Sequence, residues 1–565
     1  MLKLTEKSLE NTAEWASTGT KLPRFDIAAM KKKTYDNPTW IHFGAGNIFR
    51  GFIAELAQEL LNNGDLQTGI IATDTFDFEI IEKIYHPHDN LGLLVLMNPD
   101  GTLDKEVIAS VAESLPADSS NAAAWSRMCE IFKCPSLQMA SFTITEKGYS
   151  LRNVKGEIMP VVTADMQNGP TAPKHAMAAV AALAFVRFQA GELPIAFVSM
   201  DNCSENGLKL QSAVLEVAAA WLENGFVPKA FIDYLNDASK VTFPWSMIDK
   251  ITPRPSDYVK ESLEKLGIGE MDPVITSRNT YIAPFINAEA PRYLIVEDAF
   301  PNGHPPLDKT RGMFFTTRET VKNTERMKVT TCLNPLHTAL AVYGCMLGFD
   351  SIAAEMKDDD LRTMVMKIGY VEGMPVVVNP GIIDPKQFID EVIGVRLPNP
   401  FIPDTPQRIA VDTSQKLAIR FGETIKSYGD KAASLTFIPL VLAGWCRYAL
   451  GIDDNGNAFE PSPDPMLATV KASLAGIDPK TGAYAGQLRD VLKNKVLFGV
   501  DLFEVSLGDK VEAMFCELIA GPGARNASEI HEINAHLTKA TFLQRKIQPR
   551  LSCGVPQIQG RNRRK

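Results

Sequence analysis

From Thr39 a polar lead gives way to an apolar run, Trp40, Ile41, His42 and Phe43, then to Gly44-Ala45-Gly46, then to apolar positions at helical spacing from about Ile48 to Leu61. A second apolar run, Gly69 to Thr73, ends on Asp74. Strand, glycine turn, helix and strand in that order predict a βαβ unit and hence a parallel sheet. The stretch LGLLVLMNPDGTLDKEVIASV predicts a hairpin turning at Asn98-Pro99-Asp100-Gly101. Two further apolar strands end in polar residues: Met139 to Thr145, and Ile195 to Ser199, which runs into Asp201 and Asn202. Helical periodicity over Pro173 to Gln189 and Leu208 to Glu223 predicts helices covering the sheet. Pro253, Pro255, Pro284, Pro291, Pro301, Pro305 and Pro306 then predict irregular connections. From about Lys328 the spacing is helical again, over Asn334 to Leu347, Asp359 to Tyr370, Pro385 to Ile393, Thr405 to Lys426, Ala432 to Leu450 and on to about Arg545. The second half therefore reads as all-α.

The chain has 565 residues, 45% of them hydrophobic and 22% charged, with a net charge of −9. At about 150 residues per domain this predicts two to four domains, and the composition excludes a disordered or collagen-like chain. No apolar run reaches the roughly 18 residues of a membrane span, and the polar start MLKLTEKSLENTAEW does not read as a secretory signal. The expectation is a cytoplasmic enzyme with no membrane partner. The acidic balance argues against a nucleic-acid partner, and the cations Arg561, Arg563, Arg564 and Lys565 read as a solvated basic tail. The eight cysteines are scattered without zinc spacing, so no metal site is expected.

Three G-x-G tripeptides occur, about as many as chance supplies, so the tripeptide alone says little. Gly44-Ala45-Gly46 differs by context: it follows a strand and opens a helix, where glycine lets backbone approach a pyrophosphate on the helix N-terminus. Phe49 and Arg50 stand where a third glycine is usual. A plain tight turn is the alternative. Asp74 either holds adenosine ribose hydroxyls or caps a turn. In KVTTCLNPLH, Asn334 and His337 lie three apart and share a helical face, able to grip a carbonyl oxygen and a hydroxyl, or to serve as a cap and a packed imidazole.

Seven stretches carry a wider resemblance: HFGAGNIFRGF (42–52), TITEKGY (143–149), SMDNCSENG (199–207), FPWSMIDKITP (243–253), IVEDAFP (295–301), KVTTCLNPLH (328–337) and RLPNPFIPD (396–404). By these, in order, the chain resembles the polyol-specific long-chain dehydrogenase/reductase, or mannitol dehydrogenase, family from about residue 39 to 545. The resemblance implies an α/β N-terminal Rossmann-type domain plus a mostly α-helical C-terminal domain. The expected divisions are an extension over 1–36 packed outside the core, an NAD-binding domain over 37–310, a helical catalytic domain over 311–550 and the tail over 551–565.

The resemblance also implies hydride transfer between NAD (NADH) and a secondary alcohol or ketone, without metal. Gly44, Ala45, Gly46, Asn47, Ile48, Phe49, Arg50 and Asp74 are the expected cofactor contacts. Lys328 is the implied general acid/base, Asn202 and Asn334 the amides on the carbonyl oxygen, and His337 the group orienting a hydroxyl. Burial is expected to lower the lysine pKa toward the working pH. Asp249 and Arg396 are the expected substrate contacts, with Lys416 and Arg254 as weaker cations. One residue more than the family spacing separates Lys328 from Asn334; an extended segment with a bulge before a helix at Asn334 would absorb it.

Within the family, the chain's length, its extension and the CLNPLH core place it nearest the hexuronate reductases. These features imply a ketosugar acid such as D-fructuronate, reduced to D-mannonate; fructose and tagaturonate are the alternatives, and a non-catalytic NADH sensor is a further one. Monomer and dimer both remain open.

Overall fold

The computed structural model describes residues 1–477 and 484–519. The tail 551–565 and the expected helices beyond 519 lie outside the described residues. Six parallel strands form the central sheet: β1 (Trp40–Phe43), β2 (Ile70–Asp74), β3 (Val111–Pro116), β4 (Met139–Phe142), β5 (Ile195–Ser199) and β6 (Val241–Thr242). Their spatial order is β3-β2-β1-β4-β5-β6, the doubly wound order of dinucleotide-binding sheets. Every residue of β1, β2, β4 and β5 is buried. Apolar residues therefore run through them without alternation, as two helix-covered faces require. The helices Ala176–Gln189 and Asn206–Glu223 cover one face as expected.

The hairpin forms over Gly92–Met97 and Leu103–Ile108, with the Gly101 N–H donating to the Asn98 carbonyl at 3.0 Å. It belongs to a second sheet with Phe285–Ala288 and Thr20–Lys21. Through that last strand the first 36 residues gain a core of their own, because Leu4 and Trp15 are buried against Leu93 and Phe285. The proline-rich stretch holds more order than expected: Ser246–Asp249, Tyr293–Glu297 and Met313–Thr316 pair into a third sheet whose strands run between the prolines.

Beyond Thr316 the described residues contain helices and one isolated β-bridge, Ile452 with Ala458. Helix Asn334–Leu347 has the expected bounds and is packed against Phe437–Tyr448 in the C-terminal core. The segment Thr405 to Lys426 is not one helix. It breaks into Pro406–Ile409, Thr413–Gln415, Ala418–Gly422 and Glu423–Tyr428, with Asp412 left-handed at φ +54° between the first two. No helix is long and apolar enough to cross a membrane among the described residues.

Candidate active site

The glycine loop lies where the strand order reverses between β1 and β4, the crevice in which open α/β sheets bind ligands. Gly44 sits at φ +107°, and a Cβ there would collide with the Thr143 carbonyl that follows β4. Its N–H donates to the Thr73 carbonyl at 2.8 Å, so this glycine is required by the fold itself. Gly46 is different: a Cβ there would meet nothing within 4 Å. The N–H groups of Gly46, Asn47 and Ile48 donate to no backbone carbonyl among the described residues, and the Asn47 Oδ1 is buried without a partner. Open space, bare N–H donors and a following helix N-terminus fit a pyrophosphate.

Other members of the expected cofactor set have different work. The Ala45 N–H donates to Asp74 at 3.0 Å, and its carbonyl accepts from the Tyr85 hydroxyl at 2.9 Å. Phe49 is fully buried and stacks on His42, whose imidazole bonds Ser141 and Thr143. Burial drives that imidazole down to about 3, so it is neutral beneath the loop. Arg50 is no phosphate ligand: it is buried, donating to the carbonyls of Ala283 and Pro284 at 2.8 Å each. Asp74 makes the contacts of a turn aspartate. Its carboxylate accepts from the N–H groups of Ala45, Phe76 and Asp77, and it faces inward.

A cleft of about 1370 Å³ opens beside the loop, with Ile48, Thr143 and Asn202 on one wall and residues 250–258, Ile402 and Pro403 on the other. Lys328, 8% exposed, is not itself among the lining residues but reaches one of them, Asn202. The amine donates to the Ile248 carbonyl at 2.7 Å and the Asn202 Oδ1 at 3.2 Å, with Asp249 Oδ1 at 3.4 Å. The lysine is not on an extended segment. Helix Arg318–Met327 runs on into a π-helical turn, Lys328–Cys332, closed by the Leu333 N–H on the Lys328 carbonyl at 3.1 Å. The π-helical turn lies between Lys328 and Asn334, and such wide turns are common at functional sites.

Asp249 and Arg396 lie in a buried ion cluster with the lysine, and Arg396 also lines the small pocket that includes His337. Arg396 grips Asp249 through Nη1 and Nη2 at 2.6 and 3.0 Å, and Glu289 through Nε and Nη2 at 2.9 and 2.8 Å. Its side chain is 1% exposed. Burial alone would raise the Asp249 carboxyl, but Arg396 and then Lys328 outweigh it and hold the group at about 2. For Glu289 burial prevails and pushes the carboxyl up, against the pull of Arg396.

Asn334 opens its helix half-buried, its amide free of side-chain partners among the described residues. One turn on, His337 Nε2 lies 2.8 Å from Asp404 Oδ2. Burial would raise Asp404, but His337 and Arg408 beside it hold it below the usual range. His337 lines a small pocket with Ile251 and Ile402, residues that also line the cleft. Lys416 donates to the carbonyls of Ile409 and Val411 and is not among the cleft residues. Burial, with Arg420, pushes its amine down to about 8.

Three participants escaped the sequence reading. Glu289 left no signal, since its partner Arg396 is 107 residues away. Asp404 closes the same RLPNPFIPD stretch that Arg396 opens, so a signal was there. Lys250, beside Asp249, is buried against Glu55 at 3.1 Å on the helix after the glycine loop.

A bare loop for a dinucleotide, with a buried lysine amine bonded to a residue of the adjoining cleft, is the provision of a dehydrogenase. That is the class which fold and cleft define. Residues 38–309 match the Mannitol dehydrogenase Rossmann domain and residues 320–515 the Mannitol dehydrogenase C-terminal domain, and the chain belongs to the mannitol dehydrogenase family of oxidoreductases. It is 51% identical over 531 residues to a D-mannonate oxidoreductase of Thermotoga maritima, covering 93% of this chain and 97% of the relative. A D-mannonate oxidoreductase of Escherichia coli is 28% identical over 455 residues, covering 78% of this chain and 86% of the relative. In fold the chain is similar to Pseudomonas fluorescens mannitol 2-dehydrogenase, solved with NAD and D-mannitol, at a TM-score of 0.68 and 24% identity over 95% of this chain and 99% of that one.

Proposed function

We propose that the protein interconverts D-fructuronate and D-mannonate with NADH and NAD. The observation that carries the reading is the buried Lys328 amine, held on the Ile248 carbonyl and on Asn202, a residue lining the cleft beside the glycine loop. The substrate class is supported by the 51% identical D-mannonate oxidoreductase, matched over nearly its whole length. NADH held on the Gly46 to Ile48 loop would supply the hydride that the keto carbon needs. The side chains manage the oxygen: the free amide hydrogens of Asn202 and Asn334 donate to it as negative charge develops, and Lys328 gives it a proton. All three amine donors face protein groups, so a substrate oxygen displaces one of the longer contacts, Asn202 at 3.2 Å or Asp249 at 3.4 Å, and leaves the Ile248 bond in place. His337, oriented by Asp404, holds a neighbouring hydroxyl.

Steady-state rates on D-fructuronate, tagaturonate and fructose, each with NADH and NADPH, test the assignment. Highest kcat/KM on D-fructuronate with NADH is the expected result; equal or better activity on fructose overturns it in favour of a neutral ketose. The cofactor reading has its own test at the two glycines. Gly46→Ala is expected to leave the thermal midpoint unchanged, because the protein offers its Cβ no obstacle, while weakening NADH binding by about tenfold or more in a fluorescence titration. Gly44→Ala, strained at φ +107° and clashing with Thr143, should instead lower the yield of folded protein. Unchanged NADH affinity in Gly46→Ala would remove the pyrophosphate from this loop.

A further inference from the structure

A sugar acid brings a carboxylate into a protein of net charge −9, so a placed cation has to receive it. Arg396 has no free fork to offer, since Asp249 and Glu289 already take its paired N–H donors. Four cations line the cleft: Lys209, Lys250, Arg254 and Arg408. Lys209 is paired with Glu146, Lys250 with Glu55, and Arg408 with Asp404. Arg254 makes no ion pair or side-chain hydrogen bond among the described residues, although Asp257 lines the same wall. Its backbone is held firmly. Pro253 and Pro255 flank it, and the buried Asn287 donates to the Arg254 carbonyl at 3.1 Å while accepting from the Ser256 N–H at 3.1 Å. Asn287 is 1% exposed, on the strand Phe285–Ala288. The lip of the cleft thus presents an exposed guanidinium without a counter-ion on a backbone with little freedom to move.

We infer that Arg254 grips the carboxylate of the ketosugar acid and sets the preference for an acid over a neutral ketose. The inference rests on the hexuronate reading above. A guanidinium meets a carboxylate through two parallel N–H···O bonds, which a hydroxymethyl end cannot match. The cofactor's phosphates are the other anions in this cleft, so the test must separate the two.

Kinetics of the full-length wild type and Arg254→Ala are compared on D-fructuronate and fructose, with KM for NADH measured alongside. The expected result is a 10- to 100-fold loss, in order of magnitude, of the fructuronate-to-fructose selectivity, carried by KM for the acid. KM for NADH should move by less than about threefold, a shift too small for a lost phosphate contact. Arg254→Lys, keeping the charge without the fork, should recover part of the loss. A rise in KM for NADH equal to that for the acid would reassign Arg254 to the cofactor. Unchanged selectivity in a wild-type enzyme that prefers fructuronate would overturn the anchor alone. A wild type that reduces fructose and no hexuronate would overturn the substrate reading and the anchor together.

Discussion

Lys328→Ala should lower kcat for ketone reduction by about 10²–10⁴-fold, the usual worth of a positioned acid/base, while the enzyme still binds NADH. The fold tolerates the change, because Asp249 keeps both hydrogen bonds from Arg396 and no buried carboxylate is left alone. Two explanations of such a loss can be separated. If the amine acts by its charge, Lys328→Arg should retain much of the activity. If it acts by releasing a proton, the arginine variant should be nearly as impaired as alanine, since a guanidinium stays protonated at any working pH. The second result is expected. Steady-state rates with saturating NADH, beside a fluorescence titration of NADH, make the measurement. A kcat for Lys328→Ala within about threefold of wild type would take the lysine out of the chemistry.

What was legible along the chain was mostly local. The β1 strand, Gly44, Gly46 and the following helix are consecutive, so their order alone predicts the loop and its place on a parallel sheet. Helix Asn334–Leu347 was readable from its spacing. The π-turn at Lys328 was not, because counting at three and four residues cannot place an added residue inside a helix. The strands between prolines were missed for a related reason: Ser246–Asp249 and Tyr293–Glu297 span four and five residues, too few for alternation to show, and they pair across more than forty positions. Arg396 shows the limit of a local reading. It was singled out correctly as a cation near the chemistry, but the acids that neutralise it are 147 and 107 residues away and nothing local announces them. At Asp74 the strand-end position is right, and the three backbone N–H groups on its carboxylate come from residues that the sequence pattern does not single out together.

Arg396→Met should destabilise the fold by about 3–5 kcal/mol, the cost of removing one partner from a buried ion cluster. Asp249 is 4% and Glu289 2% exposed, and without the guanidinium they retain only Lys328 and the Ile251 N–H. The pH dependence carries a definite sign. In the wild type Asp249 is held at about 2, below its unfolded value near 3.9, so its contribution is complete above that value and is lost as pH falls toward 2. In the variant, burial without the cation raises both carboxyls above their unfolded values. A raised carboxyl costs stability while the pH is above its folded pKa, and the cost shrinks as pH falls and the group takes up its proton. The gap between variant and wild type is therefore widest at alkaline pH and narrows toward pH 5. Thermal midpoints from pH 5 to pH 9 read it directly. Adding Glu289→Gln to the variant removes one uncompensated charge and should recover part of the midpoint. The contrary outcome is equally specific: a stable Arg396→Met whose only defect is a raised KM for D-fructuronate would put the guanidinium on the substrate and displace Arg254 from that role.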